Sequence, residues 1–305
     1  MEKNSHPLVA IKCFVYNHEP YLRECLDGFV MQQTDFPFVA IVHDDASTDH
    51  SADIIREYAA KYPDIIHPIY ETENQYSKQD GSLGRIIDAA INATGAKYIA
   101  MCEGDDYWTD PHKLQKQVDF LEMHPDFSIC FHRCKTLVLD TGEIIEKLIR
   151  DMLGESTIYD LAHGNYIYTL SVLYRRNEEV QAKQKTLGYC MPGDYVLWML
   201  LAEKGKIWEL EDSMGVYRYG CGVWSSGKMG IGSSLHLMVV LAKLLVSVEN
   251  SQVKSIIQKQ IDEMYTELTM YESTMKINYN KIYSSYAYRL GRVLLKPFRI
   301  FKWLK

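Results

Sequence analysis

The sequence predicts an α/β fold: a mostly parallel central sheet flanked by helices, with a helical C-terminal extension. Three observations carry that expectation. Short apolar runs alternate with amphipathic segments over about the first 100 residues, the pattern of strands joined by right-handed helical crossovers. Carboxylates gather where two of those runs end, in 'DDASTD' and 'EGDD', and open sheets of this kind bind ligands beyond the carboxyl ends of their strands. From about Ser234 the apolar residues recur at helical spacing.

The elements follow in order. 'LVAIKCFV' (Leu8 to Val15) reads as a buried strand and 'YLRECLDGFVMQ' (Tyr21 to Gln32) as a helix. 'FVAIVH' (38–43) is the second strand. 'SADIIREYAAKY' (51–62) is a helix with Ile54, Ile55, Tyr58 and Ala59 on one side, and 'IIHPIY' (65–70) a weaker strand. 'LGRIIDAAINA' (83–93) is a helix and 'KYIAMC' (97–102) the fourth strand. Asp110-Pro111 offers a capping side chain and a first-turn proline for the next helix, whose apolar face is Leu114, Val118 and Leu121. The middle reads as two strands around 'DTG' within 127–149, a strand over 166–174, a helix over 193–205 and a strand over 215–227 that enters a glycine-rich loop. In the final part Leu235, Met238, Val239, Ala242 and Val246 share one face, and Val253, Ile257, Met264, Leu268 and Tyr271 another.

Bulk properties bound the function. The 305 residues carry a formal charge of −7, which argues against a general nucleic-acid binder. The seven cysteines suit reduced thiols in the cytoplasm rather than a disulfide scaffold. 'CFHRC' (130–134) lacks a second ligand pair for zinc and reads as strand. 'MEKNSHP' is not a secretory leader, and no apolar run reaches the ~20 residues of a membrane span. The expected location is the cytoplasm. The segment 288–305 is basic and amphipathic, with Trp303 and no acid. One reading seats it on the cytoplasmic face of an anionic inner membrane; the other docks it on the core with a solvated basic face.

The acid clusters raise the chemical question. Asp, Ser and Thr favour turns and caps, so Asp49 or Ser51 capping the next helix competes with any ligand role for 'DDASTD'. 'EGDD' is harder to absorb structurally. Adjacent carboxylates after a buried strand repel and resist desolvation. A hard divalent cation relieves both, held by one or two carboxylates and by phosphate oxygens.

Four stretches carry a family resemblance: 'VAIKCFVYNHEPYLRECLDGFVMQ', 'IVHDDASTD', 'AAINATGAKYIAMCEGDDYWTDPHKLQKQVDFL' and 'PGDYVLWMLLAEKG'. In order and spacing the chain resembles a family 2 glycosyltransferase of the GT-A fold, over roughly residues 7 to 225. The resemblance implies a Rossmann-like sheet within a domain over 1–228, divided into a nucleotide-binding half (1–110) and an acceptor-side half (111–228), with 229–305 as the helical extension. Tyr16, Asn17 and Glu19 would line the nucleotide pocket. Asp45 would accept a hydrogen bond from a uracil-like base, with Asp44 a lesser candidate, and Arg85 would contact the nucleotide or its diphosphate. Asp105 would face ribose and metal, Asp106 would be the principal ligand of Mn²⁺ or Mg²⁺, and Glu103 would support them.

Asp194 would be the catalytic base, deprotonating the acceptor hydroxyl; a helix cap after Gly193 is its alternative role. One base without a covalent nucleophile implies inversion. The implied reaction moves a sugar from a nucleotide-diphosphate donor, expected as a UDP-sugar, to a hydroxyl of a glycan or lipid-linked acceptor in surface polysaccharide assembly. One departure stands out. No His follows Tyr217-Arg218, where the family often places one that reaches the metal. Trp224 either stacks on a sugar or packs ordinarily.

Three rival functions compete with this one. A dinucleotide oxidoreductase needs a glycine-rich turn after the first strand, and 'YNHEPYL' has none. A nucleotidyltransferase or phosphohydrolase would release pyrophosphate or phosphate. A non-catalytic sugar-nucleotide-binding or scaffolding protein would have no turnover to lose.

Overall fold

Val9–Val15 form β1, and only Phe14 among them escapes full burial. Such a run suits a central strand covered on both faces. The computed structural model describes residues 6–146, 153–222 and 231–284. Contacts divide the chain into two compact units, Met1–Ile257 and Gln258–Lys305.

In the first unit β1 leads to α1 (Leu22–Val30), β2 (Phe38–Asp44), α2 (Ser51–Lys61) and β3 (Ile66–Tyr70). A 3₁₀ turn at Tyr76–Lys78 precedes α3 (Ser82–Thr94), β4 (Tyr98–Met101), β5 (Tyr107–Trp108) and α4 (Lys113–Met123). Then come β6 (Phe127–Val138), β7 (Glu143–Ile145), β8 (Gly154–Ser156), α5 (Ile158–Leu161), β9 (Leu173–Arg175), α6 (Glu178–Leu187), α7 (Gly193–Ala202), β10 (Lys206–Tyr219), α8 (Ile231–Ser247) and the start of α9 (Ser251–Ser284).

The sheet runs β3-β2-β1-β4-β9-β6-β10-β5, with β7 beside β6 and β8 beside β10. Strands β3, β2, β1 and β4 are parallel, as is β6 with β10. The remaining pairs are antiparallel. Order 3-2-1-4 puts the ends of β1, β2 and β4 side by side, which places both acid clusters at one sheet edge. Leu22, Leu26 and Phe29 of α1, Ile54 and Ile55 of α2, and Leu114, Val118 and Leu121 of α4 cover the sheet. Each such side chain contributes about 1.5–3 kcal/mol by leaving water.

Several expectations change. The run 166–174 is strand only from Leu173, because a 3₁₀ turn at Thr169–Ser171 precedes it; Tyr166, Ile167 and Leu170 enter the core from irregular backbone. Helix α4 begins at Lys113, since the Asp110 carboxylate accepts the His112 N–H (2.7 Å) in a turn before the helix. On α8 the predicted face is turned outward. Leu235, Val239 and Val246 are exposed, while Val240, Leu241 and Leu244 are buried. That helix is apolar nearly all round, so its sequence periodicity does not fix which side packs. Cys130, His132 and Cys134 lie buried in β6, as strand residues. Trp224 and the segment 288–305 lie outside the described residues.

Candidate active site

The site grows from the loops that leave β1, β2 and β4. The first two are laced together. Asn17 sits at φ 55, a left-handed conformation that Asn tolerates better than most residues. From there its Oδ1 accepts the Thr48 N–H (2.7 Å), and its own N–H donates to Ser47 Oγ (2.9 Å). The His18 N–H donates to Ser51 Oγ, and the Glu19 N–H to Asp49 (3.0 Å). Glu19 in turn accepts the His50 N–H (3.1 Å). Ser51 Oγ therefore serves the neighbouring loop, while Asp49 serves both that loop and the start of α2, where its other oxygen accepts the Ser51 N–H (2.9 Å) although the N-cap position is His50. Partial burial would raise the Asp49 carboxyl, but its hydrogen bonds from Ser51 and Glu19 hold it below the usual range.

Asp45 is buried, with one oxygen accepting the Gln75 N–H (2.6 Å) and the other the Tyr76 N–H (3.0 Å). This brings the 3₁₀ turn over the end of β2. Asp44 accepts the Ser47 N–H at 3.3 Å through one oxygen, and its other oxygen is buried without a hydrogen bond. Tyr16 is exposed at the loop tip. Arg85, on the first turn of α3, is exposed and turns to Asp80, donating to its carbonyl (2.6 Å) and lying 3.7 Å from its carboxylate, rather than to either acid cluster.

The turn after β4 is different. The Cys102 and Gly104 N–H groups donate to Lys12 O and Phe14 O, and the Asp106 N–H to Glu103 O. The turn is thus pinned against β1. A Cβ on Gly104 would lie 2.8 Å from His18 Nδ1 and 3.0 Å from Val15 Cγ2, so only glycine permits this approach. Asp105 and Asp106 are 6% and 4% exposed. Asp105 Oδ1 is buried without a hydrogen bond, while Oδ2 faces Cys221 Sγ (3.5 Å) and His18 Nε2 (4.0 Å). Burial, and then Asp105, push the Asp106 carboxyl well above the usual carboxylate range. Surrounding protein, then Asp105 and Asp194, raise Glu103 to about 8. Its side chain still reaches solvent, which screens part of that repulsion.

Asp194 is the second residue of α7. The N-cap position is Pro192, so the carboxylate lies two residues past the cap. It accepts Thr169 Oγ1–H (3.1 Å), the Tyr195 N–H (2.7 Å) and, weakly, Asn165 Nδ2–H (3.5 Å). Burial raises its carboxyl against those bonds. Glu103, itself in the acid turn, feels the charges of Asp105 and Asp194.

Residues 13–170, just over half the chain, match the family described as Glycosyl transferase family 2. The chain belongs to that family. An uncharacterized protein of Mycobacterium tuberculosis is 39% identical over 219 residues, which are 72% of this chain and 61% of the relative. The chain thus spans less than two thirds of that relative. A protein named putative teichuronic acid biosynthesis glycosyltransferase TuaG, from Bacillus subtilis, is 29% identical over 204 residues, 66% of this chain and 75% of its own. Among solved structures, S. aureus TarS 1–349 in complex with UDP-GlcNAc aligns with a TM-score of 0.62 at 17% identity, over 85% of this chain and 72% of that one. Mannosyltransferase PcManGT from Pyrobaculum calidifontis, in complex with GDP-Man and Mn²⁺, aligns at 0.57 and 16% identity, over 95% and 84%. These likenesses are of fold, and the fold is GT-A.

Family 2 membership gives the acid turn its context, and the side chains can be tested for a cation. Among the described residues no three His, Cys, Asp or Glu side chains form a complete metal site. The donor set still fits a cation that takes its other ligands from a nucleotide. Asp105 Oδ1 is a buried acceptor without a partner, and Asp106 resists ionisation where it stands. Asp105 and Asp106 would hold the ion. The sequence reading did not assign Arg218, Glu24, His18, Asn165, Thr169 or Cys221 to this region. Arg218, a cation within the otherwise uncharged run 'GVYRY' at the end of β10, was the available signal. An open groove of about 470 Å³ near Val39, Ile41, Pro68 and Ala93 contains no carboxylate among its lining residues and is not part of this chemistry.

Proposed function

We propose that this family 2 member is an inverting glycosyltransferase that uses a divalent cation and a nucleotide-diphosphate sugar. The observation that carries the reading is the acid turn: buried adjacent carboxylates, one oxygen without a partner, at the shared end of β1, β2 and β4. A buried pair of this kind is costly unless something positive joins it. Mn²⁺ or Mg²⁺ bound there would offset charge building on the departing diphosphate. Tyr16, Asn17 and Glu19 would frame the nucleotide, and the remaining lone pairs of Asp45 would serve its base. Asp194 takes the proton of the acceptor hydroxyl as its oxygen bonds to the anomeric carbon. The bond from that carbon to the diphosphate breaks, and the nucleoside diphosphate leaves with the electron pair. A single displacement inverts the anomeric centre.

The donor is a UDP- or GDP-sugar by analogy with the complexes of the two structural neighbours. The acceptor is a glycan or lipid-linked glycan of the cell surface, by analogy with the relative named for teichuronic acid biosynthesis. No helix among the described residues is long and apolar enough to cross a membrane. The basic segment 288–305 would seat the protein on an anionic cytoplasmic leaflet.

A panel of UDP- and GDP-sugars with purified full-length protein and Mn²⁺ tests the proposal. Release of nucleoside diphosphate that EDTA abolishes supports it. Release unaffected by EDTA contradicts the role of the acid turn, and donor binding without turnover on any acceptor favours a scaffolding protein.

A further inference from the structure

Arg218 is buried at the end of β10 and grips the acid turn from several directions. Its main-chain N–H donates to Asp106 Oδ1 (2.8 Å), and Nη1 donates to the Asp105 carbonyl (2.6 Å). Nη2 pairs with the carboxylate of Glu24 on α1. The guanidinium lies over the rings of Tyr107 (4.5 Å) and Tyr21 (5.0 Å). Asp105, Asp106 and Tyr107 are consecutive, so most of its contacts fall on the turn itself.

The strand after the turn has anchors besides this arginine. Trp108 Nε1 donates to Leu170 O (2.7 Å), and β5 pairs with β10 through Gly215 and Val216. What Arg218 adds is local to Asp105 and Asp106. Its guanidinium takes the Asp105 main-chain carbonyl rather than the carboxylate, while its main-chain N–H holds one oxygen of Asp106. The Glu24 contact and the two rings fix the plane of the guanidinium. A lysine has one point charge and cannot reproduce that fork and stack.

We propose that Arg218 is a positioning residue that holds Asp105 and Asp106 in the arrangement that receives a divalent cation together with a nucleoside diphosphate. The inference rests on the metal-dependent reading above. Its test is calorimetric titration of full-length protein with UDP and with GDP, each in Mn²⁺ and in EDTA, for wild type, Arg218→Lys and Glu24→Ala, with thermal melting alongside. Wild type should bind one nucleotide more tightly in Mn²⁺ than in EDTA. Arg218→Lys should weaken the Mn²⁺-dependent binding about 10-fold or more while binding in EDTA stays within about twofold. Glu24→Ala, at an exposed side chain, should weaken it about threefold. An Arg218→Lys protein that melts lower yet binds Mn²⁺ and nucleotide as wild type does would overturn the inference. Should that variant not fold, wild-type affinity in Glu24→Ala would overturn it instead. Wild-type binding indifferent to EDTA would remove the metal reading itself, and the inference with it.

Discussion

The two acid clusters look alike as sequence and differ as chemistry. Each follows a buried parallel strand, and each places three acidic residues within a few positions: Asp44, Asp45 and Asp49 after β2, and Glu103, Asp105 and Asp106 after β4. After β2, Asp45 and Asp49 are met by main-chain N–H groups from Gln75, Tyr76, Ser51 and Glu19. After β4, the main-chain N–H of Arg218 reaches Asp106, and Asp105 Oδ1 is left unbonded. Asp45 and Asp49 are braced by their hydrogen bonds, whereas Asp44, the last residue of β2, keeps one buried oxygen without a bond. In the second, Asp105 and Glu103 repel Asp106 by more than Arg218 relieves, which suits a ligand that brings further positive charge. Residue type alone does not distinguish a turn-former from a cation seat; the supply of donors does.

The largest effects should fall on the second cluster and its neighbour. Asp106→Asn should lower EDTA-sensitive turnover by about 10²-fold or more, measured as nucleoside diphosphate release. Asp194→Asn should do the same to turnover by removing the base, while nucleotide affinity in Mn²⁺ stays near wild type. Loss of that affinity would move Asp194 from base to binding residue.

Thermal melting without metal sharpens the contrast by sign. Asp45→Asn replaces an acceptor that faces two N–H donors and should cost about 1–3 kcal/mol. Asp105→Asn removes like-charge repulsion and should raise the melting temperature. Matching signs would erase the distinction between the clusters.

The pH dependence follows from the same contrast. Glu103 is raised in the folded state from its usual 4.5 to about 8. Its contribution is therefore fully present below about 4.5 and is lost as pH rises through about 8. Asp49 is depressed, so its contribution is present above its usual 3.8 and is lost on acidification. Metal-free protein should lose a little stability between about pH 5 and 8, less than the full Glu103 shift implies because that side chain is exposed and screened, and Glu103→Gln should flatten that slope. A smaller effect is expected in the laced loops: Asn17→Ala should cost about 1–2 kcal/mol through the lost Thr48 contact and the left-handed backbone that Asn tolerates better, seen as a modest melting shift.

Much of this was legible in the sequence, for identifiable reasons. Strands β1, β2 and β4 are apolar runs, and α2 and α4 carry clear stripes, so the edge bearing the acids could be placed. Helix α6 was not legible because Val180 is its sole fully buried residue. The early part of β10 was hidden by Glu209, Glu211 and Asp212 and by irregular pairing around Leu210 to Gly215. At the site, the carboxylates announced themselves, but their environments did not. The amides that meet Asp45 come from 30 residues downstream, and Arg218 reaches Asp105 across 113 residues. Such pairings depend on topology, which local pattern does not encode.

The most direct test is an anomalous difference map at the manganese edge, from crystals grown with Mn²⁺ and UDP or GDP. The account predicts a peak about 2.0–2.4 Å from a carboxylate oxygen of Asp105 or Asp106, with diphosphate oxygens completing the shell. Bound nucleotide with no manganese at that turn, or manganese held by the Asp44–Asp45 loop instead, would contradict it.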